Sequence, residues 1–383
     1  MSHVSHVLRM RRRLTHACLR LTILVAMLCV PVACLAAPTA GSVPVRHVFI
    51  IMLENESYAV TFGQQSLAPY LAHELPRQGA LLSQYYGIGH YSLDNYLAMI
   101  SGQAPNPATQ NDCTTFGEFV PTGKIDANGQ LPGTGCVYPK RVRTIANQLT
   151  DAGLSWKAYM EDMGADPSRE AATCGHVAVG AKDPTSHATP KDQYAAKHNP
   201  FVYFHAIIDD AKYCDSRVVN LDHLSADLAH VDSTPNFAYI TPNLCHDGHD
   251  APCKNGEQGG LISANAFLRT WVPRIMDSPA FKQDGLLIIT FDEGTDGTAC
   301  CNEKGLPGGP RPGQFGPGGG VIGAVMLSPF IAPGTRSDVP YNHYSLLRSL
   351  EDIFGLPHLG YAGDNRLRTF GSDVFTARPI PQK

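Results

Sequence analysis

VRHVFIIML at residues 45–53 runs straight into Glu54 and Asn55, and LLIITF at residues 286–291 runs straight into Asp292 and Glu293. Both runs are apolar, rich in β-branched residues and bounded by polar ones, the pattern of a strand buried on both faces of a parallel sheet. Residues 321–327 (VIGAVML), 237–240 and 154–160 read as further strands. Helix-like stretches at residues 93–100, 141–152, 262–276 and 345–354 fall between them. Strands alternating with helices along one chain predict an α/β protein, a single α/β/α sandwich with a mostly parallel central sheet. Two loops are long, the Gly- and Pro-rich residues 295–320 and residues 106–139 with two cysteines, and loops of that length inside a compact domain are usually functional.

The chain has 383 residues, 17% of them charged and 43% hydrophobic, which excludes disordered, collagen-like and coiled-coil classes. Arg9, Arg11, Arg12, Arg13 and Arg20 precede an apolar run at residues 21–32 that ends in small residues. That order predicts a secretory signal peptide over residues 1–36, leaving residues 37–383 as one domain. The competing lipoprotein reading would acylate Cys34, but Pro31 stands where that signal takes Leu. Removing residues 1–36 deletes five Arg and no acid, so 25 Lys+Arg face 34 Asp+Glu, a formal charge of −9. This balance does not favour nucleic acid as a partner. It also leaves eight cysteines, for which disulfides are the expected state in an exported chain, periplasmic or extracellular. None shows the Cys-x-x-Cys spacing of thiolate zinc sites. The expected pairing is local, Cys113 with Cys136 and Cys174 with Cys214, with Cys245, Cys253, Cys300 and Cys301 tying two active-site loops together.

In an open parallel sheet, ligands bind beyond the carboxyl ends of the strands. Glu54, Asn55, Asp292 and Glu293 therefore deliver oxygen ligands from two strand ends to one edge, a set that suits a hard or borderline divalent cation. The third element is GIGHYSLDNYLAMISG, residues 87–102, where Ser92 opens an apolar-periodic segment and reads as a helix N-cap. A helix N-terminus offers free N–H groups and positive dipole charge to a phosphate. The glycines 318, 320 and 323 fit G-x-G-x-x-G but precede a strand, so the dinucleotide reading fails, and no G-x-S-x-G surrounds Ser92.

Taken together, HVFIIMLENESY, GHYSLDNYLAMISG, KHNPF, TPNLCHDGHD, LLIITFDEG and SPFIAPGT followed by YNHYSLLRSLEDIFGL resemble the metal-dependent phosphoesterase family. That family holds bacterial phospholipases C and acid phosphatases within the alkaline phosphatase superfamily, and the resemblance covers residues 47–356. It implies an alkaline-phosphatase-like fold and one divalent metal ion, with Mg, Ca, Mn and Zn all open, held by Glu54, Asn55, Asp292 and Glu293. It further implies Ser92 as nucleophile, Asn95 on a phosphate oxygen, and His198 and His249 contacting phosphate or protonating the leaving group. The sequence departs from the family at Glu56 and Asp94, which bears on substrate preference. The cluster His246, Asp247, His249 and Asp250 offers an alternative second metal site, His90 could touch substrate or make a structural hydrogen bond, and His343 could cap the last helix.

The resulting expectation is an exported phosphatase hydrolysing phosphate monoesters through a phosphoserine. A phospholipase C acting on phosphodiester headgroups is the alternative; a non-catalytic secreted binding protein is the alternative from another class. The chain stops at Lys383 without the carboxyl-terminal domains of larger phospholipases, which tilts the expectation toward phosphatase. Expected partners are a small phosphorylated substrate or phospholipid headgroup, with no stable membrane span once the signal is removed; the oligomeric state is left open.

Overall fold

The structure, a computed structural model, describes residues 43–314 and 316–376. The expected signal peptide lies outside the described residues. Eight strands form one sheet: β1 (His47–Leu53), β2 (Ala80–Leu82), β3 (Trp156–Met160), β4 (Val218–Asn220), β5 (Phe237–Thr241), β6 (Gly285–Phe291), β7 (Ala324–Leu327) and β8 (Thr335–Ser337). Their spatial order is β8-β2-β7-β6-β1-β5-β3-β4. Only β7 runs against its neighbours, so the sheet is mostly parallel, as the strand–helix alternation predicted.

The two quoted runs are neighbours at the centre. β1 and β6 pair in register along their whole length, from His47 opposite Gly285 to Leu53 opposite Phe291, and every residue of both is buried. Full burial on both faces is why these strands carry continuous apolar runs instead of alternating ones. Four longer helices flank the sheet: α1 (Ser92–Ser101), α2 (Ile145–Asp151), α3 (Gly260–Asp277) and α4 (His343–Phe354). α1, α2 and α4 pack on one another, whereas α3 packs against β6 and the turn Tyr70–Glu74.

Two expected boundaries move, each for a local reason. α2 starts four residues late because Thr144 caps it: its hydroxyl accepts from the Asn147 N–H while Asn147 Oδ1 accepts from the Thr144 N–H at 3.0 Å. β7 starts three residues late because Gly323 sits at φ 75°, outside strand geometry. The strands β2, β4 and β8 were not expected; at three residues each they carry too little pattern to read.

Cys113–Cys136 and Cys174–Cys214 pair as expected. The other four do not tie two loops together: Cys245 pairs with Cys253 and Cys300 with its neighbour Cys301, so each bond closes its own loop. No described helix is long and apolar enough to cross a membrane.

Candidate active site

Because β1 and β6 run in register, the residues that follow them emerge side by side. The Asp292 N–H donates to the Leu53 carbonyl at 2.9 Å, continuing the ladder one step past the strands. The chain then bends: Asn55 takes φ 54°, a left-handed conformation that Asn tolerates, and its N–H donates to Asp292 Oδ1 at 2.9 Å. Its side-chain amide donates to Glu54 Oε2 at 2.7 Å, and the Ser92 hydroxyl donates to that same oxygen at 2.8 Å. Four of the expected residues, Glu54, Asn55, Ser92 and Asp292, are thereby joined in one hydrogen-bonded group.

This group is short of positive charge. Among the described residues, no hydrogen bond reaches Asp292 Oδ2, and Glu54 Oε1 has only the His198 Nε2 at 3.2 Å without making a hydrogen bond of good geometry, although both oxygens are buried. Burial, and then the Asp292 charge, push the Glu54 carboxyl well above its ordinary range; burial, and then Glu293, do the same to Asp292. Buried acids of this kind are retained where a cation or a proton balances them. An all-oxygen donor set with two unserved carboxylate oxygens fits a divalent metal ion of the hard or borderline class. Glu293 completes the edge and is held by a direct contact to His90 Nδ1, while His90 Nε2–H donates to the Asp296 carbonyl at 3.0 Å. Burial alone would lower His90, but Glu293 outweighs it and raises the imidazole above its usual value.

Ser92 is the first residue of α1, not its N-cap. Tyr91 occupies the cap position at φ 79° with no capping side chain, so the hydroxyl of Ser92 is left to face Glu54. A non-glycine residue held at positive φ beside a reactive group is strain of the type found at functional sites. At this helix, Asp112 Oδ1 accepts from the Leu93 N–H at 3.1 Å, using one of the N–H groups of the helix N-terminus. Asn95 is fully buried; its Oδ1 accepts from the Ile88 and Gly89 N–H groups, and its amide donates to the Gly89 and Tyr91 carbonyls. Asn95 thus fixes the loop ahead of Ser92. Asp94 lies under that loop, where a Cβ on Gly89 would meet its Oδ1 at 2.6 Å, so the position requires glycine.

The two expected histidines occupy different depths. His198 is buried, with Nε2 3.2 Å from Glu54 Oε1 and Nδ1 3.7 Å from Asp247 Oδ2, and its ring stacks on Tyr96. Burial, then Lys197, hold it well below its usual pKa, so it backs Glu54 as a neutral ring and does not line the pocket. His249 does line the pocket and is more than half exposed. Asp250 raises it to about 9 against the opposing effect of burial. The alternative second metal site comes apart: His246 turns away to Glu161 at 2.9 Å and Glu257 at 3.2 Å, Asp247 faces His198, and His249 faces the pocket.

The pocket has a volume of ≈ 420 Å³, and Ser92, Asn55 and Glu293 reach its wall. Two further residues that sequence reasoning passed over also line it, Asp112 and Lys197, paired at 2.8 Å. Lys197 stands inside the KHNPF motif, but Asp112 comes from a loop 85 positions away, and no local pattern joins them. His343, weighed as a helix cap, instead opens α4; Tyr85 O–H donates to its Nδ1 at 3.2 Å, and its Nε2–H donates to the Asp292 carbonyl at 2.6 Å. Burial lowers it to about 4, which keeps the ring neutral and able to hold the backbone of a candidate ligand.

A model of the phosphoesterase family matches residues 67–357, which include Ser92, Asp292 and Glu293. The chain belongs to the phosphoesterase family. This chain is 27% identical over 319 residues to a probable acid phosphatase of Kluyveromyces lactis, covering 82% of this chain and 59% of that one. It is 29% identical over 310 residues to a phosphate-repressible acid phosphatase of Penicillium chrysogenum, covering 81% and 59%. It is also 26% identical over 316 residues to a phosphatidylinositol-3-phosphatase of Mycobacterium tuberculosis, covering 82% and 79%. The phosphoesterase spans about three-fifths of the length of the two fungal relatives. Among solved structures it is similar to an alkaline phosphatase superfamily protein from Vibrio parahaemolyticus, with a TM-score of 0.49 at 14% identity over 85% of this chain and 71% of that one.

Proposed function

We propose that this phosphoesterase is exported and hydrolyses phosphate monoesters in a mildly acidic medium, with Ser92 as the attacking group. The observation that carries the reading is the Ser92 hydroxyl set 2.8 Å from Glu54 Oε2, in the wall of a pocket that Asn55 and Glu293 also line. Glu54, Asn55, Asp292 and Glu293 would hold one divalent cation. When bound, that ion makes the serine hydroxyl more acidic and offsets charge on the phosphoryl oxygens.

The chain's own residues then have separable tasks. Glu54 Oε2 accepts the Ser92 hydrogen bond, takes that proton as Oγ attacks phosphorus, and returns it to Oγ when the phosphoserine is cleaved. As the O–P bond to serine forms, the bond to the leaving alcohol breaks, and His249, protonated below about pH 9, donates the proton that alcohol needs. Neutral His249 then takes a proton from the water that hydrolyses the phosphoserine, returning Ser92 and releasing inorganic phosphate. His198, stacked on Tyr96, and His343, bonded to the Asp292 carbonyl, hold the acids in place. The acid phosphatase names of the fungal relatives support the monoester reading. The four disulfides support export.

The test is hydrolysis of p-nitrophenyl phosphate beside p-nitrophenyl phosphorylcholine from about pH 4 to 9, with and without chelator. Chelator-sensitive turnover of the monoester is the expected result. Preference for the choline diester would move the assignment to a phospholipase C, and turnover of neither would leave a binding protein.

A further inference from the structure

An acid-rich pocket that takes an anionic substrate needs positive charge, and at the nucleophile's helix one N–H and the Asn95 side chain are already bonded within the protein. The Leu93 N–H is held by Asp112, and every polar group of the Asn95 side chain is bonded to the preceding loop. Of the described residues lining the pocket, Lys197 is the sole Lys or Arg. Its placement is built from several elements. Lys197 lies in the turn Ala196–His198, next to the histidine that backs Glu54. Its Nζ lies 2.8 Å from Asp112 Oδ2, and the other oxygen of that carboxylate is fixed by the Leu93 N–H, one residue after Ser92. Asp112 itself sits at φ 47° beside the Cys113–Cys136 disulfide, so the loop that presents it is covalently anchored.

One carboxylate therefore ties the ammonium group to the start of the nucleophile's helix. An ammonium has three donors and Asp112 Oδ2 takes one, which leaves two for a ligand. Both side chains are partly exposed toward the pocket, 18% for Lys197 and 15% for Asp112.

We propose that Lys197 binds a non-bridging phosphoryl oxygen of the substrate and makes the pocket prefer dianionic monoesters to monoanionic diesters, with Asp112 as its positioning residue. The inference rests on the phosphoesterase reading above and names the substrate charge that the site selects. The physical ground is that a fixed ammonium attracts the second charge of a monoester dianion, which a diester lacks, inside a site of low dielectric. Neighbouring carboxylates keep the ammonium protonated: burial opposes its charge, but Asp112 and Glu54 outweigh burial and raise its pKa. The histidines of the pocket titrate; Lys197 supplies a charge that does not change across the working range.

The experiment compares the wild-type chain with Lys197→Met and Lys197→Arg on p-nitrophenyl phosphate and methyl p-nitrophenyl phosphate, with inorganic phosphate as inhibitor. Removing one charge-assisted contact is expected to lower kcat/KM for the monoester about 10- to 100-fold more than for the diester, and to raise the phosphate inhibition constant by a similar factor. Lys197→Arg should recover most of both effects. Because Lys197→Met strands Asp112, the double variant Lys197→Met with Asp112→Asn, which removes both charges, must show the same shift in the monoester-to-diester ratio. Equal losses on the two substrates, or an unchanged phosphate inhibition constant, would overturn the role of Lys197. A wild-type chain that turns over neither ester would instead sink the phosphoesterase mechanism. In that event, calorimetric titration with inorganic phosphate still decides on Lys197: affinity lost in Lys197→Met supports it, and unchanged affinity refutes it.

Discussion

The two ends of the central strand pair make opposite use of a buried acid. At the amino end of β6, Asp284 meets His47 at 2.5 Å and its second oxygen accepts from the Gln283 amide at 3.0 Å, so the carboxylate is matched. At the carboxyl end of the same two strands, Glu54 and Asp292 are as deeply buried, yet each keeps an oxygen without a hydrogen bond of good geometry, Glu54 Oε1 having only the His198 ring at 3.2 Å. Register, burial and neighbouring apolar residues are shared, so the backbone does not explain the contrast. Side-chain placement does, and of these two ends it leaves unmatched acid at the one where the strained backbone of Asn55 and Tyr91 and the Ser92 hydroxyl converge. An uncompensated buried charge costs stability, and it is tolerated where something outside the apo chain balances it.

The largest break in that comparison should come from Ser92→Ala. It removes the attacking oxygen while leaving the acids in place, and monoester turnover is expected to fall roughly 10⁴-fold or more. Circular dichroism and thermal melting should stay near wild type, since the side chain lost is small; a variant of unchanged turnover would show that Ser92 is not the attacking group.

Next in size is a matched pair of substitutions at the two ends. Asp292→Asn should cut turnover on the order of 10²- to 10³-fold. In chelator it should raise unfolding stability by about 1–3 kcal/mol, because it removes an unmatched charge and keeps an acceptor for the Asn55 N–H. Asp284→Asn should leave turnover near wild type and lower stability by about 1–3 kcal/mol, because it unpairs His47. Denaturant titrations that moved both variants in one direction would remove the distinction between the two ends.

Glu351 sharpens the comparison from outside the site. It is a buried acid of α4 whose Oε1 accepts from the Leu359 N–H at 2.8 Å while Oε2 has no described donor. Burial raises it to about 9, partly offset by the Leu359 bond. The folded chain therefore holds this proton between about pH 4.5 and 9, where the unfolded chain has released it, so stability falls as pH rises through that window. Glu351→Gln should flatten the profile by about 1–2 kcal/mol between roughly pH 5 and 8 without changing turnover. A profile identical to wild type would mean that this carboxyl ionises without cost.

Much of this was legible in the sequence because the decisive signals are local. Continuous apolar runs declare central strands, and the residues directly after them declare the site, so Glu54, Asn55, Asp292 and Glu293 could be named together with the parallel sheet. Ser92 followed from a short motif. What was not legible is set by contacts made only in the folded chain. Asn95 is bonded to carbonyl and N–H groups of its own loop, which no spacing rule announces. The Leu93 N–H near the helix N-terminus is held by Asp112, whose left-handed turn and disulfide are tertiary features. The four loop cysteines pair within their own loops, since pairing is set by distance in space and eight cysteines allow many connectivities.

The measurement that bears most directly on the central contrast is cation binding to the purified, chelator-treated chain, followed by calorimetry and by melting temperature, with Mg, Ca, Mn and Zn tried in turn. The account predicts that one divalent ion binds per chain and raises the melting temperature, that Asp292→Asn loses this response, and that Asp284→Asn retains it. A chain that binds none of these ions, or an Asp292→Asn variant that binds as the wild type does, would contradict it.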